Sequence, residues 1–382
     1  MSLDPSLLRQ VRETLAARAV PITPHTVAEA LRAQGHPVGD ATVLEVHEHL
    51  RRDVAGAGPL EELLRTEGVT DVLVNGPDAV YVDRGDGLEP AGVHLGSEEA
   101  VRRLAQRLAA GAGRRLDDAA PWCDVRLDDG TRLHAVLAPL ARPGTLISLR
   151  VPRARAFTLD ELVAAGTLDA TGARVVERVV SGRLAFLVTG GTGTGKTTLL
   201  AAMLSRVDPA ERVVLVEDSS ELRPEHPHVV ALEARPANVE GAGAVRVADL
   251  VRQALRMRPD RLVVGEVRGA EVVDLLAAMN TGHEGGCGTV HANSASDLPA
   301  RIEALALAAG LPRAAAHSQL SAALDVVLHL GRDRAGRRRL TQVGVLERDR
   351  EGIVSVVPAL LFSEGGAREG AGAAMLAERI SA

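Results

Sequence analysis

The chain has 382 residues, of which 46% are apolar, and a formal charge of -6; this is enough for two or three domains with full cores, without bulk attraction for nucleic acid or acidic lipid. Aromatic residues are scarce (one Trp, one Tyr, three Phe), so stacking platforms for single-stranded nucleic acid are nearly absent and the cores must be built of Leu, Val and Ala. The two cysteines, Cys123 and Cys287, lie far apart in no paired motif, which argues against a disulfide scaffold and a zinc site and points to reduced thiols in a cytosolic protein.

The N-terminus lacks a basic-then-apolar signal pattern, and no apolar run approaches the ~18 residues of a membrane span. Residues 1 to about 55 read as a helical extension. Asp4-Pro5 resembles a helix start; Leu7, Leu8, Val11 and Leu15 recur at helical spacing, and a further helix is expected from Val43 to Arg51. Residues 56–150 read as an α+β domain. It has a short helix around Leu60–Leu64, strands at Val72–Val74 and Val80–Val82 around the turn Asn75-Gly76-Pro77-Asp78, and a helix capped by Ser97. A hairpin then turns at Asp128-Asp129-Gly130, and Leu146–Arg150 forms one more strand. Residues 151–156 read as a linker.

From 157 to 382 helices alternate with short runs that are apolar throughout, such as Val213–Val216 and Leu262–Gly265. Such strands are covered on both faces, which predicts an α/β domain with a mostly parallel sheet. The region from Arg337 to Val357 alternates like an antiparallel hairpin, and the Gly- and Ala-rich end closes on a short helix. The basic cluster Arg332, Arg334, Arg337, Arg338 and Arg339 falls at a turn; a solvated loop is the plain reading, and contact with acidic lipid or a platform protein the other.

The segment Gly190-Gly191-Thr192-Gly193-Thr194-Gly195-Lys196-Thr197-Thr198 leaves the short apolar run that begins at Leu184, read as one buried strand, and enters a helix-forming run. It satisfies G-x-x-x-x-G-K-[ST] in the strand–loop–helix context that makes the motif a phosphate-binding loop. Glycines let successive amides turn inward toward phosphate, and the following helix offers its positive end. Lys196 is the only lysine in the chain. A slim ammonium threads a closed loop of amides where a planar guanidinium would not, so Lys196 is expected on the outer phosphates and Thr197 on Mg²⁺. Glu266 ends one strand; Glu217-Asp218 ends another, with Glu221 close behind. Carboxyl ends of parallel strands line the ligand crevice, so these acids are expected to face the phosphates.

Glu217-Asp218-Ser219-Ser220-Glu221-Leu222 resembles an Asp box, and Arg258-Pro259-Asp260 through Gly265-Glu266-Val267-Arg268-Gly269 a Walker B segment. Thr281-Gly282-His283-Glu284-Gly285 with Gly288-Thr289-Val290-His291-Ala292-Asn293 resembles a His box. Together these residues resemble the secretion ATPase superfamily, the hexameric motors of type II and type IV secretion, type IV pili and archaeal flagella. They most resemble its tight-adherence-pilus (CpaF and TadA) and conjugal-transfer-associated branch, over about residues 55 to 360. The resemblance implies a RecA-like ATPase domain, ATP and Mg²⁺ as cofactors, and a homo-hexamer working on an inner-membrane platform protein. It places the protein in the cytoplasm, peripherally at the inner face of the cytoplasmic membrane, with nucleic acid only as cargo.

By the same resemblance Glu217 is the water-polarising base, with Glu221 the second choice. Glu266 holds Mg²⁺ through water, His291 senses the γ-phosphate and His283 supports the site. Arginines of the N-terminal domain, with Arg126, Arg132 and Arg150 as candidates, reach a neighbour's nucleotide, and Arg235 is a further candidate. The competing reading is a nucleotide-gated scaffold ring with little hydrolysis. A GTPase is disfavoured because its Asn-Lys-x-Asp motif needs a second lysine, and a small-molecule kinase because no lid signature is evident.

Overall fold

The computed structural model describes residues 7, 10, 11, 14, 15, 23–34, 39, 42–47, 56–85, 87–152, 155–235, 237, 242–282, 284–333 and 335–381. His283, Arg334, Arg153 and Ala154 therefore lie outside the described residues, as do Asp4, Pro5, Leu8 and residues 48–51 of the N-terminal extension. The chain divides into two compact units, Met1–Arg153 and Ala154–Ala382.

In the first unit Val11, Leu15, Val27, Leu31, Val43 and Val46 bury one another in a small helical cluster. It includes a helix the sequence reading passed over, α1 (Pro24–Ala33), which has Pro24 in its first turn and the Thr23 hydroxyl accepting from the Thr26 amide at 3.2 Å. Proline there marks a helix start rather than a break. The α+β part follows: α2 (Glu61–Arg65), β1 (Asp71–Val74), β2 (Val80–Asp83), β3 (Leu88–Pro90), α3 (Glu98–Gly111), β4 (Trp122–Arg126), β5 (Arg132–Val136) and β6 (Leu146–Arg150). The six strands pair antiparallel in the order β3-β2-β1-β6-β5-β4. Period-two alternation sends Val72, Leu133 and Leu149 inward against Val101, Leu104 and Leu108 of α3.

The second unit runs α4 (Leu159–Ala164), α5 (Ala170–Ser181), β7 (Phe186–Gly190), α6 (Lys196–Leu204), β8 (Val213–Glu217), β9 (Val229–Glu233), α7 (Val247–Ala254), β10 (Arg261–Val267), α8 (Glu271–Met279) and β11 (Cys287–Val290). It closes with α9 (Leu298–Ala308), α10 (Arg313–Ala323), β12 (Val326–Arg332), β13 (Arg338–Arg348), β14 (Val354–Ser363), β15 (Gly366–Glu369) and α11 (Ala373–Ser381). The sheet order is β15-β14-β13-β12-β7-β11-β10-β8-β9. Strands β12 through β9 in that order are parallel, and β13, β14 and β15 add antiparallel on one side.

Two cores explain why the strands are apolar throughout. Phe186, Val188, Leu215 and Val263 pack on one face of the sheet, and Leu187, Val214, Val216, Leu262 and Val264 on the other. Strand β9 was not expected: it is an outer strand of the sheet and only partly buried, and its short apolar run Val229–Leu232 has no alternation to mark it.

Candidate active site

The candidate site gathers at the carboxyl ends of β7, β11, β10 and β8, neighbours in that order. β7 is buried along its whole length and delivers Gly190 to the edge of the sheet. Gly190 has φ 148°, and a side chain there would meet the Leu330 carbonyl. Gly195, at φ 94°, caps α6 without any side-chain bond; the first amides of α6 therefore stay available at the helix's positive end. Thr194 closes the loop by donating to the Gly191 carbonyl at 2.9 Å. Thr192 and Gly193 are exposed at the crown, while Thr197 and Thr198 are half-buried in the first turn of α6.

Lys196 is buried. Its Nζ donates to the Gly190 and Gly191 carbonyls at 3.1 and 2.9 Å and lies 3.3 Å from His291 Nε2. Burial lowers its pKa, against the pull of Glu266 and Glu221, and Arg268 adds to the lowering. These four charged groups thus act on one small volume.

His291 follows β11 directly, and its Nε2 also stands 2.9 Å from Glu266 Oε1. One ring nitrogen cannot both accept from Lys196 and donate to Glu266. Burial first, and Lys196 next, lower the His291 pKa, which favours the neutral ring accepting from the ammonium. Glu266 Oε1 is then a buried carboxylate oxygen without a hydrogen bond. Its other oxygen is held by Arg268, whose Nη2 donates to Oε2 at 2.6 Å while Nη1 donates to Asp218 Oδ2 at 3.0 Å. Arg268 therefore ties the ends of β8 and β10 together. Glu271 Oε1 fixes the turn that carries it, accepting from the Arg268 and Gly269 amides at 2.6 and 2.7 Å.

Glu217 lies deeper, 3% exposed at the end of β8. Its Oε1 accepts from the Glu221 and Leu222 amides, both at 3.0 Å, and its Oε2 is buried without a hydrogen bond. The side chain rests on Gly265, where an added Cβ would come within 2.6 Å of Glu217 Cγ. Burial pushes its carboxyl up to about 7. Among the described residues no group of three or more His, Cys, Asp or Glu could hold a metal ion. The unbonded Glu266 oxygen, joined to Lys196 through His291, instead fits an ion held mainly by a nucleotide's own phosphates, as Mg²⁺ usually is.

The N-terminal candidates occupy one row. Register sets Arg126 opposite Arg132, Arg132 opposite Arg150, and Arg150 opposite Asp71, so all four project from one face of the sheet. Arg132 forms two bonds to Asp124 at 3.0 and 2.9 Å, and Arg150 one to Asp71 at 3.2 Å. Arg235 is exposed beyond β9 and donates to the Gly243 carbonyl at 2.9 Å. The basic cluster needs correcting: Arg332 Nη2 donates to the Gly193 carbonyl at 2.9 Å, and the Arg338 side chain lies over Gly195. Part of that cluster thus closes on the phosphate loop rather than standing free in solvent. β12 is hydrogen-bonded beside β7 and carries its own end to the loop. Arg337, in contrast, pairs with Asp333 at 2.8 Å.

The model of the type II/IV secretion system protein family matches residues 53–356. The chain belongs to that family. This secretion-family chain is 60% identical over 326 residues to Rv3659c of Mycobacterium tuberculosis (strain H37Rv), which carries a provisional conjugal-transfer name; the match spans 84% of this chain and 92% of that one. It is 30% identical to the type IV secretion system protein PtlH of Bordetella pertussis over 315 residues, 74% of this chain and 92% of PtlH. The solved ATPase DotB of Yersinia pseudotuberculosis matches at 16% identity with a TM-score of 0.53, over 84% of this chain and 80% of that one. That likeness is one of fold, RecA-like α/β, and the chain is a member of the secretion ATPase superfamily.

Proposed function

We propose that this chain hydrolyses ATP with Mg²⁺ as a ring of six copies and so powers pilus assembly, or the transfer of a substrate or DNA, through a type II/IV secretion-like membrane machine. One observation carries the reading: Lys196, His291 and Glu266 meet within 3.3 Å of one another along the chain of contacts at the loop. Loop amides and Lys196 bind the outer phosphates, and Arg332 and Arg338 brace the loop crown. Thr197 and, through water, Glu266 hold the metal, which when bound offsets charge on the phosphate oxygens. Glu217 orients and deprotonates the attacking water; its buried free oxygen and a pKa of about 7 suit a base working near neutral pH. Glu221, which acts on Lys196, is the second choice.

His291 shares Lys196 with the loop carbonyls and is placed to register a γ-phosphate that draws the ammonium away. Arg126, Arg132 and Arg150, with Arg235, supply positive charge to the nucleotide of an adjacent copy. The conjugal-transfer and type IV secretion names of its relatives support a platform protein at the cytoplasmic membrane as partner, and the tight-adherence pilus is the machine the boxes fit best.

Nucleotide binding and steady-state hydrolysis test this. Lys196→Ala is expected to lose roughly ten- to hundredfold in ATP affinity for each charged contact removed. Glu217→Gln is expected to bind ATP and stop turning it over. Turnover at the parent rate in Glu217→Gln, with loss in Glu221→Gln, moves the base to Glu221. A parent ring that binds ATP without hydrolysing it leaves the scaffold reading instead.

A further inference from the structure

β12 runs parallel to β7, and the register sets His329 beside Thr189. Both side chains are buried, in a sheet whose neighbouring positions Val327, Leu328 and Leu330 are aliphatic. An imidazole here carries a desolvation cost that a leucine would not, so the fold alone gives no reason for it. What it gains is two hydrogen bonds. Nδ1 lies 2.8 Å from the Thr189 hydroxyl, and the ring also bonds the backbone of Asn293. Burial lowers its pKa, so the ring is neutral, with one donor and one acceptor. Donation to the Asn293 carbonyl leaves Nδ1 to accept from Thr189, whose other acceptor, the Leu328 carbonyl, is more distant at 3.4 Å. The charged groups that act on the ring from the surrounding elements are Asp297 and Lys196.

The ends of this bridge fall at two places. Thr189 immediately precedes Gly190, where the phosphate loop leaves the sheet; Asn293 is two residues beyond His291. The loop carries Lys196 and the second segment carries His291, whose side chains meet at 3.3 Å. β11 separates from its neighbours after Val290, so no ladder bond holds the 291–293 segment to β7. His329 supplies the tie.

We propose that His329 is a positioning residue: by bonding Thr189 on one side and Asn293 on the other, it holds the root of the phosphate loop and the His291 segment in register, so that Lys196 and His291 meet. This rests on the ATP-hydrolysing reading for its kinetic consequence, but its structural consequence is read without turnover.

His329→Leu, His329→Gln, His329→Asn and Thr189→Val test it on the full chain. The amide of Gln reaches about as far as Nε2 and can keep the Asn293 bond; that of Asn reaches only as far as Nδ1 and can keep the Thr189 bond. His329→Leu is expected to leave ATP affinity within about threefold while lowering kcat roughly tenfold or more, the scale of one misplaced group. His329→Gln and His329→Asn should each recover part of that loss, and Thr189→Val should resemble His329→Asn's complement, with only the Asn293 side tied. Amide hydrogen exchange without nucleotide should quicken in 186–195 and 288–297 together in His329→Leu, and stay at the parent rate in the β13–β14 pair. Parent-like kcat and exchange in His329→Leu, or a loss of kcat matched by an equal loss of affinity and of thermal stability in all four variants, would overturn the proposal. A parent that never hydrolyses ATP would sink the proposed function, while coupled exchange in the two segments would still uphold the tie.

Discussion

Glu217 shows how one buried carboxylate links stability to chemistry. Desolvation raises its pKa from 4.5 to about 7, outweighing the Leu222 and Glu221 amides that lower it. The fold therefore prefers the protonated form. The sign follows: the stability this group allows is fully present below pH ~4.5 and is lost as pH rises through about 7. Glu217→Gln, neutral at every pH, is expected to exceed the parent by roughly 3 kcal/mol at pH 8, with the gap closing toward pH 4.5. Denaturant unfolding of both proteins at the two pH values checks it. At this scale Lys196, Glu266 and His291 were legible because each sits inside a local motif. Arg268 stands in the Walker B segment and Arg332 in the basic cluster, but neither was given a place at the loop, and His329 was given no role. An arginine in so arginine-rich a chain carries little signal, and a histidine in an apolar strand reads the same whether it tops up a core or bridges two loops.

At the scale of elements, the phosphate loop depends on a close approach between β7 and β12. Gly190 holds a positive φ, and its Cα faces the Leu330 carbonyl with no room for a side chain. Gly190→Ala is expected to cost roughly 3 kcal/mol through backbone strain and forced separation of the strands. That predicts a thermal midpoint lower by roughly 6 to 12 °C and loss of nucleotide binding, checked by scanning calorimetry and a fluorescent-nucleotide titration. Most elements could be read from pattern: the Asp128–Gly130 hairpin, the helix capped by Ser97, strand β6 from Leu146 to Arg150 and strands β8 and β10 around Val213–Val216 and Leu262–Gly265 lie where the spacing puts them. Strands β3, β9 and β15 escaped notice. They end the order of their sheets, where one side lacks a partner strand and burial imposes little pattern. Helix α1 escaped because a proline in a short segment marks a helix start as readily as a break.

For the whole molecule, the division into two units has a direct test. Unit 154–382 has its own two cores and the entire nucleotide loop, so it is expected to fold and bind ATP alone. The arginine row of the other unit, Arg126, Arg132 and Arg150, would be lost with it. Trans-acting arginines are worth roughly 10³ to 10⁵ in turnover; an isolated second unit hydrolysing ATP within tenfold of the full chain would refute their role. Light scattering of the full chain with ATP checks the ring, and a monomer mass there would remove it.

The amino-acid sequence by itself determined the strand–glycine loop–helix motif, the α/β alternation and the family, because each rests on residues close together in the chain and on periodic burial that a linear pattern records. Only the tertiary structure decided which distant side chains complete the loop. Arg332 reaches Gly193 across 139 residues and His329 reaches Thr189 across 140, brought there because β12 returns to lie parallel beside β7. That pairing is chosen by the packing of the whole sheet, and no short stretch of sequence encodes it.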